Sequence, residues 1–374
     1  MPTPDKCLDN LFQKALKLGN QSCVPNPDIN RRIEYVCRCL ANRACVRLLM
    51  ACMLGKLDHP KADPRKPYTE IGTKDCFSGR TYDEHYIAGF INKHALPCNS
   101  TTAFLTPTLR NQNTPLNINT ELVGRPRDLY KDTLLILDDV AKGKISAELV
   151  LTENIRWLLI VRDERNVRIG TLIEGLRQGA GALPLCVEAI VTLLEQHLAC
   201  KHSSRLPVLM IAAAYTSAGT KLGERARLLR SHNAADEQTG AAGDVEICLT
   251  NDEQIVTVYE MKNKRVVQDD IDRALQKIVN IKSRIDNYIF ITTDVIEPTV
   301  REYASSMYEK TNGTEIAILD CLGFVRHFLH LFNRLRTAFL DCYQDLVLHE
   351  PDSAVSQPLK EAFLSLRQSA ESDE

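Results

Sequence analysis

The sequence predicts a mixed α+β fold: a central mixed sheet flanked by helices, preceded by a largely helical N-terminal part. Three observations predict it. Residues 243–266, GDVEICLTNDEQIVTVYEMKNKRV, hold two strand-forming runs around a polar turn. Beyond them, apolar stripes at helical spacing alternate with short β-rich runs. Before residue 200 the apolar residues recur mostly at helical period.

Composition bounds the class. The 374 residues suffice for two domains, and 44% hydrophobic with 25% charged residues is an ordinary globular composition. A formal charge of -2 excludes a globally basic protein, so binding to nucleic acid would need a local patch. The opening MPTPDKCLDNLFQKALKLG lacks the apolar run of a signal peptide, and LPVLMIAAAYTSAG (206–219) is too short to span a bilayer. Thirteen cysteines without a secretion signal fit a reducing cytoplasm, where the glycosylation patterns at Asn99 and Asn312 carry no meaning.

Taken in order, residues 29–57 are apolar all along a helical period and predict one long helix. Residues 58–80 break all periodicity with Pro and Gly and read as loop. A helix over 81–96 stops before Pro97. The stretch 97–130 is polar and rich in Pro and Asn, a long loop of the kind that usually carries function. Helices follow around 133–142, 145–154 and 184–199, while IRWLLIVRD (155–163) fits a strand or a short buried helix equally. After a helix over 206–219 comes a basic, then glycine-bearing segment, and then the hairpin. The remainder reads α-β-α-β-α, with Val267, Ile271, Ala274, Leu275, Ile278, Ile281 and Ile285 at helical spacing and a closing helix over 324–346. This divides the chain into a mainly helical region with long loops (1–200), a sheet-bearing core (201–350) and a polar, frayed tail (351–374).

The hairpin carries the chemistry. Side chains alternate along a strand, so Asp244 and Glu246 share a face, as do Glu260 and Lys262. Antiparallel pairing would bring Asp244 to the Glu260/Lys262 end, where the hairpin opens. Two carboxylates plus the backbone carbonyl of Met261 would form a hard oxygen site for Mg²⁺. Such a cation orients a phosphate, offsets its charge and acidifies an attacking water. Lys262 would hold that water or stabilise charge building on the phosphorane. The competing reading is a surface hairpin whose Glu and Lys form an exposed pair, worth little. Upstream, Glu224 is expected on a helix ahead of the first strand, amid Lys221, Arg225, Arg227, Arg230 and His232. That basic cluster suits a polyanion partner, or is simply a solvated helix face.

The run RSHNAADEQTGAAGDVEI…VYEMKNKRV…DIDRALQKI resembles the SacI family of type II restriction endonucleases, within the PD-(D/E)XK nuclease superfamily, and residues 66–111 look like a second block of that family. The resemblance implies a PD-(D/E)XK core, with Asp244 and Glu260 as metal-binding acids, Lys262 as the motif lysine and Glu224 as an additional upstream acid. Gly243 stands where the superfamily's name has proline. Implied too are Mg²⁺-dependent cleavage of both strands of a short palindromic DNA site, 5′-phosphate and 3′-hydroxyl ends, a homodimer, a cognate DNA methyltransferase and a prokaryotic cytoplasmic setting. Arg80, Arg110, Asn111, Gln112, Asn113, Arg125, Arg127, Arg225, Arg230, His232, Asn233 and Gln238 are the candidates for contacting DNA, since Arg suits guanine and Asn or Gln adenine. Asn also serves turns, so a structural role competes at each loop position.

Other signals weigh less. Cys37, Cys39, Cys45 and Cys52 lack the spacing of a zinc set and read as buried thiols. His327 and His330 read as core or interface residues, and GTLIEGLRQGAGALP (170–184) as turns and helix ends, since it lacks the Lys-Ser/Thr of a phosphate loop. Two rival functions remain: a structure-specific or repair nuclease on the same core, and a non-catalytic DNA-binding module whose hairpin charges are solvated.

Overall fold

The structure, a computed structural model, describes residues 3–99, 101–110, 112–178, 183–229, 242–280 and 284–372. Its chain forms two compact units, Met1–Val167 and Arg168–Glu374, where the sequence suggested a division near 200. No helix among the described residues is long and apolar enough to cross a membrane.

The first unit is helical. Helix α1 spans Pro4–Leu18. The helix expected over 29–57 is two, α2 (Pro27–Arg38) and α3 (Ala44–Asp58). Helix α2 starts where Asn26 accepts the Asp28 and Ile29 N–H groups and Pro27 presets the first turn. The break before α3 is made by side chains: Arg43 donates to the Cys37 carbonyl, and Asn42 accepts the Ala44 N–H at 3.0 Å. Helix α3 is buried from Ala44 to Gly55 and is apolar all round except at Arg47.

The helix expected over 81–96 is also composite. Short helices α4 (Gly79–Tyr82) and α5 (Ala88–Lys93) flank a π-helical turn, Asp83–Ile87. That turn carries a fully buried carboxylate: Asp83 accepts hydrogen bonds from Arg47, Thr102 and the Ala103 N–H. After α6 (Arg127–Ala141), helix α7 (Ala147–Gln178) absorbs the helix expected at 145–154, the ambiguous IRWLLIVRD and most of the glycine-bearing stretch read as turns. IRWLLIVRD is therefore helix, with Ile155, Leu158, Leu159 and Val161 buried.

Among the described residues, the second unit is a five-stranded sheet between helical layers. Its helices are α8 (Val187–Leu198), α9 (Leu206–Leu222), α10 (Gln268–Asn280), α11 (Pro298–Ser305), α12 (Met307–Lys310), α13 (Cys321–Leu331), α14 (Arg336–His349) and α15 (Gln357–Ser372). Its strands are β1 (Glu224–Ala226), β2 (Val245–Leu249), β3 (Ile255–Lys262), β4 (Asn287–Thr292) and β5 (Glu315–Asp320), in the spatial order β1-β2-β3-β4-β5. The first two pairings are antiparallel and the last two parallel, a mixed sheet as expected. On one face Val258, Tyr288, Phe290, Ile316 and Ile318 pack with Ile271 and Ala274 of α10, Ala304 of α11 and Met307 of α12. On the other, Val245, Ile247, Tyr259 and Ile291 pack with residues of α8, α9, α13, α14 and α15.

Two expectations are corrected here. The closing helix of 324–346 is split into α13 and α14. The tail expected to fray is largely helix α15, with Leu359, Phe363 and Leu364 buried. A histidine fastens this layer. Fully buried His197 of α8 faces the Leu359 carbonyl through Nε2 and the Tyr343 hydroxyl through Nδ1, both at 3.0 Å. Since a carbonyl only accepts, Nε2 carries a proton, and burial disfavours a second one on Nδ1. Burial, partly offset by the Leu359 carbonyl, pulls its pKa from 6.5 down to about 4. The unfolded chain thus takes up a proton that the folded chain refuses. Stability is complete above pH 6.5 and falls, by about 3 kcal/mol, as pH drops toward 4. Urea titrations above and within that window should show it, and His197→Gln should flatten the slope; equal acid sensitivity in both proteins would contradict this account.

Candidate active site

The site grows out of the β2–β3 pairing. Val245 lies opposite Tyr259 and Glu246 opposite Val258, so Asp244 and Glu260 are the next cross-strand neighbours, on one face of the sheet. The Asp244 N–H donates to the Tyr259 carbonyl at 2.9 Å, the last rung of the ladder. One step on, β3 outruns β2, and the Met261 N–H donates to Asp244 Oδ2 at 2.7 Å. A residue's N–H and C=O leave a strand on the same edge, so the Met261 carbonyl also points to the Asp244 side.

Glu260 is held from the next strand and from the crossover helix. Tyr288 of β4 donates to its Oε2 at 3.2 Å, and Lys277 of α10 donates to the same oxygen at 3.1 Å. Lys262 Nζ lies 3.4 Å from Glu260 Oε1 and 3.3 Å from Asp270 Oδ1. Asp270 is almost fully buried in the first turn of α10. Burial opposes its ionisation, but the Val267 N–H, Arg273 and Lys262 together hold its carboxyl below the usual range. Asp244, Glu260 and Lys262, predicted as a group, are therefore together. Lys277, Tyr288 and Asp270 were missed. Only Asp270 left a trace in the sequence, as an acid opening a helix.

Glu246 shares the face of Asp244 but is bound up in structure. Its Oε1 accepts the Ala242 N–H at 2.8 Å and its Oε2 pairs with Arg227 at 3.0 Å. Gly243 matters because of what surrounds it. A Cβ there would stand 2.5 Å from Val258 Cγ1, 2.8 Å from the Tyr259 carbonyl oxygen and 3.4 Å from Glu260 Oε2. The carbonyl belongs to the ladder and cannot yield without moving Asp244. Gly243→Ala is accordingly expected to lower the rate of the chemical step by tenfold or more, on the order of what a misplaced ligand costs, with little loss of fold. Wild-type turnover in that variant would contradict the packing argument.

Glu224 is a correction. It lies in β1, not on a helix, because Gly223 ends α9 in a left-handed conformation (φ 69°) and turns the chain into the sheet. Its register partner is Leu249, so it sits at the turn end of the hairpin, away from Asp244. It also shares parity with Ala226, which packs on the face opposite Glu260. Burial raises its carboxyl pKa.

Of the basic cluster, Arg225 pairs with Glu253 and Arg227 with Glu246, while Lys221 is exposed. Arg80, Arg110, Asn113, Arg125 and Arg127 are exposed in the first unit. Arg80 pairs with Glu84 at 2.7 Å, and partly buried Gln112 donates to the Thr108 carbonyl at 3.0 Å. Asn111, Arg230, His232, Asn233 and Gln238 lie outside the described residues.

Among the described residues no three His, Cys, Asp or Glu side chains cluster to hold a metal ion. The expected set has only two, with a backbone carbonyl as the third donor. All are hard oxygens, a donor chemistry that fits Mg²⁺, which keeps several waters.

Residues 186–293 match the family model described as the SacI restriction endonuclease C-terminal domain. The matched span contains Asp244, Glu260, Lys262, Asp270, Lys277 and Tyr288, and the 66–111 block lies outside it. No curated protein matches the chain.

Proposed function

We propose that this chain, which belongs over residues 186–293 to the SacI restriction endonuclease family, is a type II site-specific endonuclease with a PD-(D/E)XK active site that uses Mg²⁺ to hydrolyse both strands of DNA. The observation that carries the reading is the placement of Asp244 and Glu260 as cross-strand neighbours, with Lys262 on the same face, inside the matched span.

Asp244, Glu260 and the Met261 carbonyl would hold the cation. When bound, Mg²⁺ offsets phosphate charge and acidifies an attacking water. The chain's own residues do the rest. The Met261 N–H fixes one oxygen of Asp244, and Tyr288 and Lys277 fix one oxygen of Glu260. Lys262 presents its ammonium to the charge that builds on phosphorus as the water oxygen bonds to it and the bond to O3′ breaks. The products are a 5′-phosphate and a 3′-hydroxyl. Arg80, Arg110, Asn111, Gln112, Asn113, Arg125, Arg127, Arg225, Arg230, His232, Asn233 and Gln238 are the proposed DNA-contacting set, with base reading drawn from within it. A palindromic site is most simply read by a homodimer. A partner DNA methyltransferase would protect host DNA in a prokaryotic cytoplasm.

The test is digestion of unmodified DNA of varied sequence with Mg²⁺, followed by sequencing of every end. One short motif at all termini, with 5′-phosphates, is the expected result. Ragged ends, or cleavage only at branches, would replace this reading with that of a structure-specific nuclease.

A further inference from the structure

Resting on that reading, the structure assigns Asp270 as the residue that positions Lys262. Lysine carries a point charge on a flexible four-carbon stem, so its action on one developing charge requires something to localise it. Two carboxylates meet Lys262 Nζ: Glu260 Oε1 at 3.4 Å and Asp270 Oδ1 at 3.3 Å. Glu260 is committed to the cation, which leaves Asp270 as the partner that stays with the lysine through the reaction.

Asp270 is built to do so. It is 8% exposed, its Oδ2 accepts the Val267 N–H at 3.1 Å, and its Oδ1 accepts from Arg273 at 2.7 Å. Backbone and guanidinium thus fix the carboxylate before Lys262 is added. An exposed ion pair would localise little, whereas a carboxylate anchored at a helix start defines one position for the ammonium. Asp270 touches neither proposed metal ligand in any contact described above; it acts through Lys262.

The experiment compares Asp270→Asn and Asp270→Glu with wild type, full length. Reductive methylation read by mass spectrometry reports how readily each lysine is reached, with exposed Lys264 as internal reference. Lys262 is expected to label several-fold faster in Asp270→Asn, Lys264 being unchanged. Single-turnover DNA cleavage with Mg²⁺ is expected to slow by about 10²-fold, DNA affinity without Mg²⁺ to stay near wild type, and Asp270→Glu to regain much of the rate. Unchanged labelling of Lys262, or a slowdown that merely tracks lost melting temperature and is not relieved by Glu, would overturn the assignment. The labelling needs no cleavage. A wild type that never cuts therefore refutes the endonuclease reading, whereas a wild type that cuts alongside an unaltered Asp270→Asn refutes this inference alone.

Discussion

Lys262→Ala is expected to slow DNA cleavage by about 10²–10³-fold while leaving DNA affinity nearly unchanged, because the ammonium is proposed to act where charge develops and not where the duplex is gripped. The two carboxylates that meet Lys262 bear on the control. Truncation leaves Asp270 with Arg273 and the Val267 N–H, and leaves Glu260 with Lys277 and Tyr288, so neither acid is stranded. The variant should fold normally. Single-turnover nicking of supercoiled plasmid with Mg²⁺ gives the rate, and a gel shift without Mg²⁺ gives the affinity. A variant that cuts like wild type would remove Lys262 from the chemistry. One that neither binds nor cuts would make it part of the DNA-gripping surface.

The second large effect is on stability and lies in the first unit. Asp83→Ala should destabilise that unit by about 3–5 kcal/mol, since it leaves the Arg47 guanidinium buried without its carboxylate. Thr102 and the Ala103 N–H lose their acceptor at the same time. The only tryptophan, Trp157, belongs to this unit and stacks with Arg38 and Arg156, whose guanidinium carbons lie 4.8 and 4.5 Å from the ring centroid. Its fluorescence therefore follows unfolding of the first unit selectively. The double variant Arg47→Met, Asp83→Leu should recover a large part of the loss, because both charges then leave the interior together. A single variant costing under about 1 kcal/mol would show that the pair is not the anchor its burial indicates.

The hairpin was legible because alternation around a polar turn marks two paired strands, but the register that brings Asp244 to Glu260 also depends on an irregularity between Ile247 and Cys248 that no spacing announces. What surrounds it was not. Lys277 and Tyr288 reach Glu260 from a crossover helix and a parallel strand, and neither a helix's rotation nor a parallel register is written in local spacing. The break between α2 and α3 was hidden for a similar reason. It is made by Asn42 and Arg43 bonding to backbone across an apolar period that continues on both sides. Glu224 was misplaced because Gly223 ends the helix at a point where the charge pattern runs on unbroken. The C-terminal helix was misread as a frayed tail although Leu359, Phe363 and Leu364 follow helical spacing, because the surrounding polar residues concealed a stripe that the unit buries.

The most direct test of the central claim is a paired digestion of unmodified genomic DNA with Mg²⁺, by wild type and by the Asp244→Asn, Glu260→Gln double variant. The account predicts discrete fragments from wild type, and from the variant intact DNA that it still binds. Identical fragments from both proteins, or none from wild type on DNA of any sequence, would contradict it.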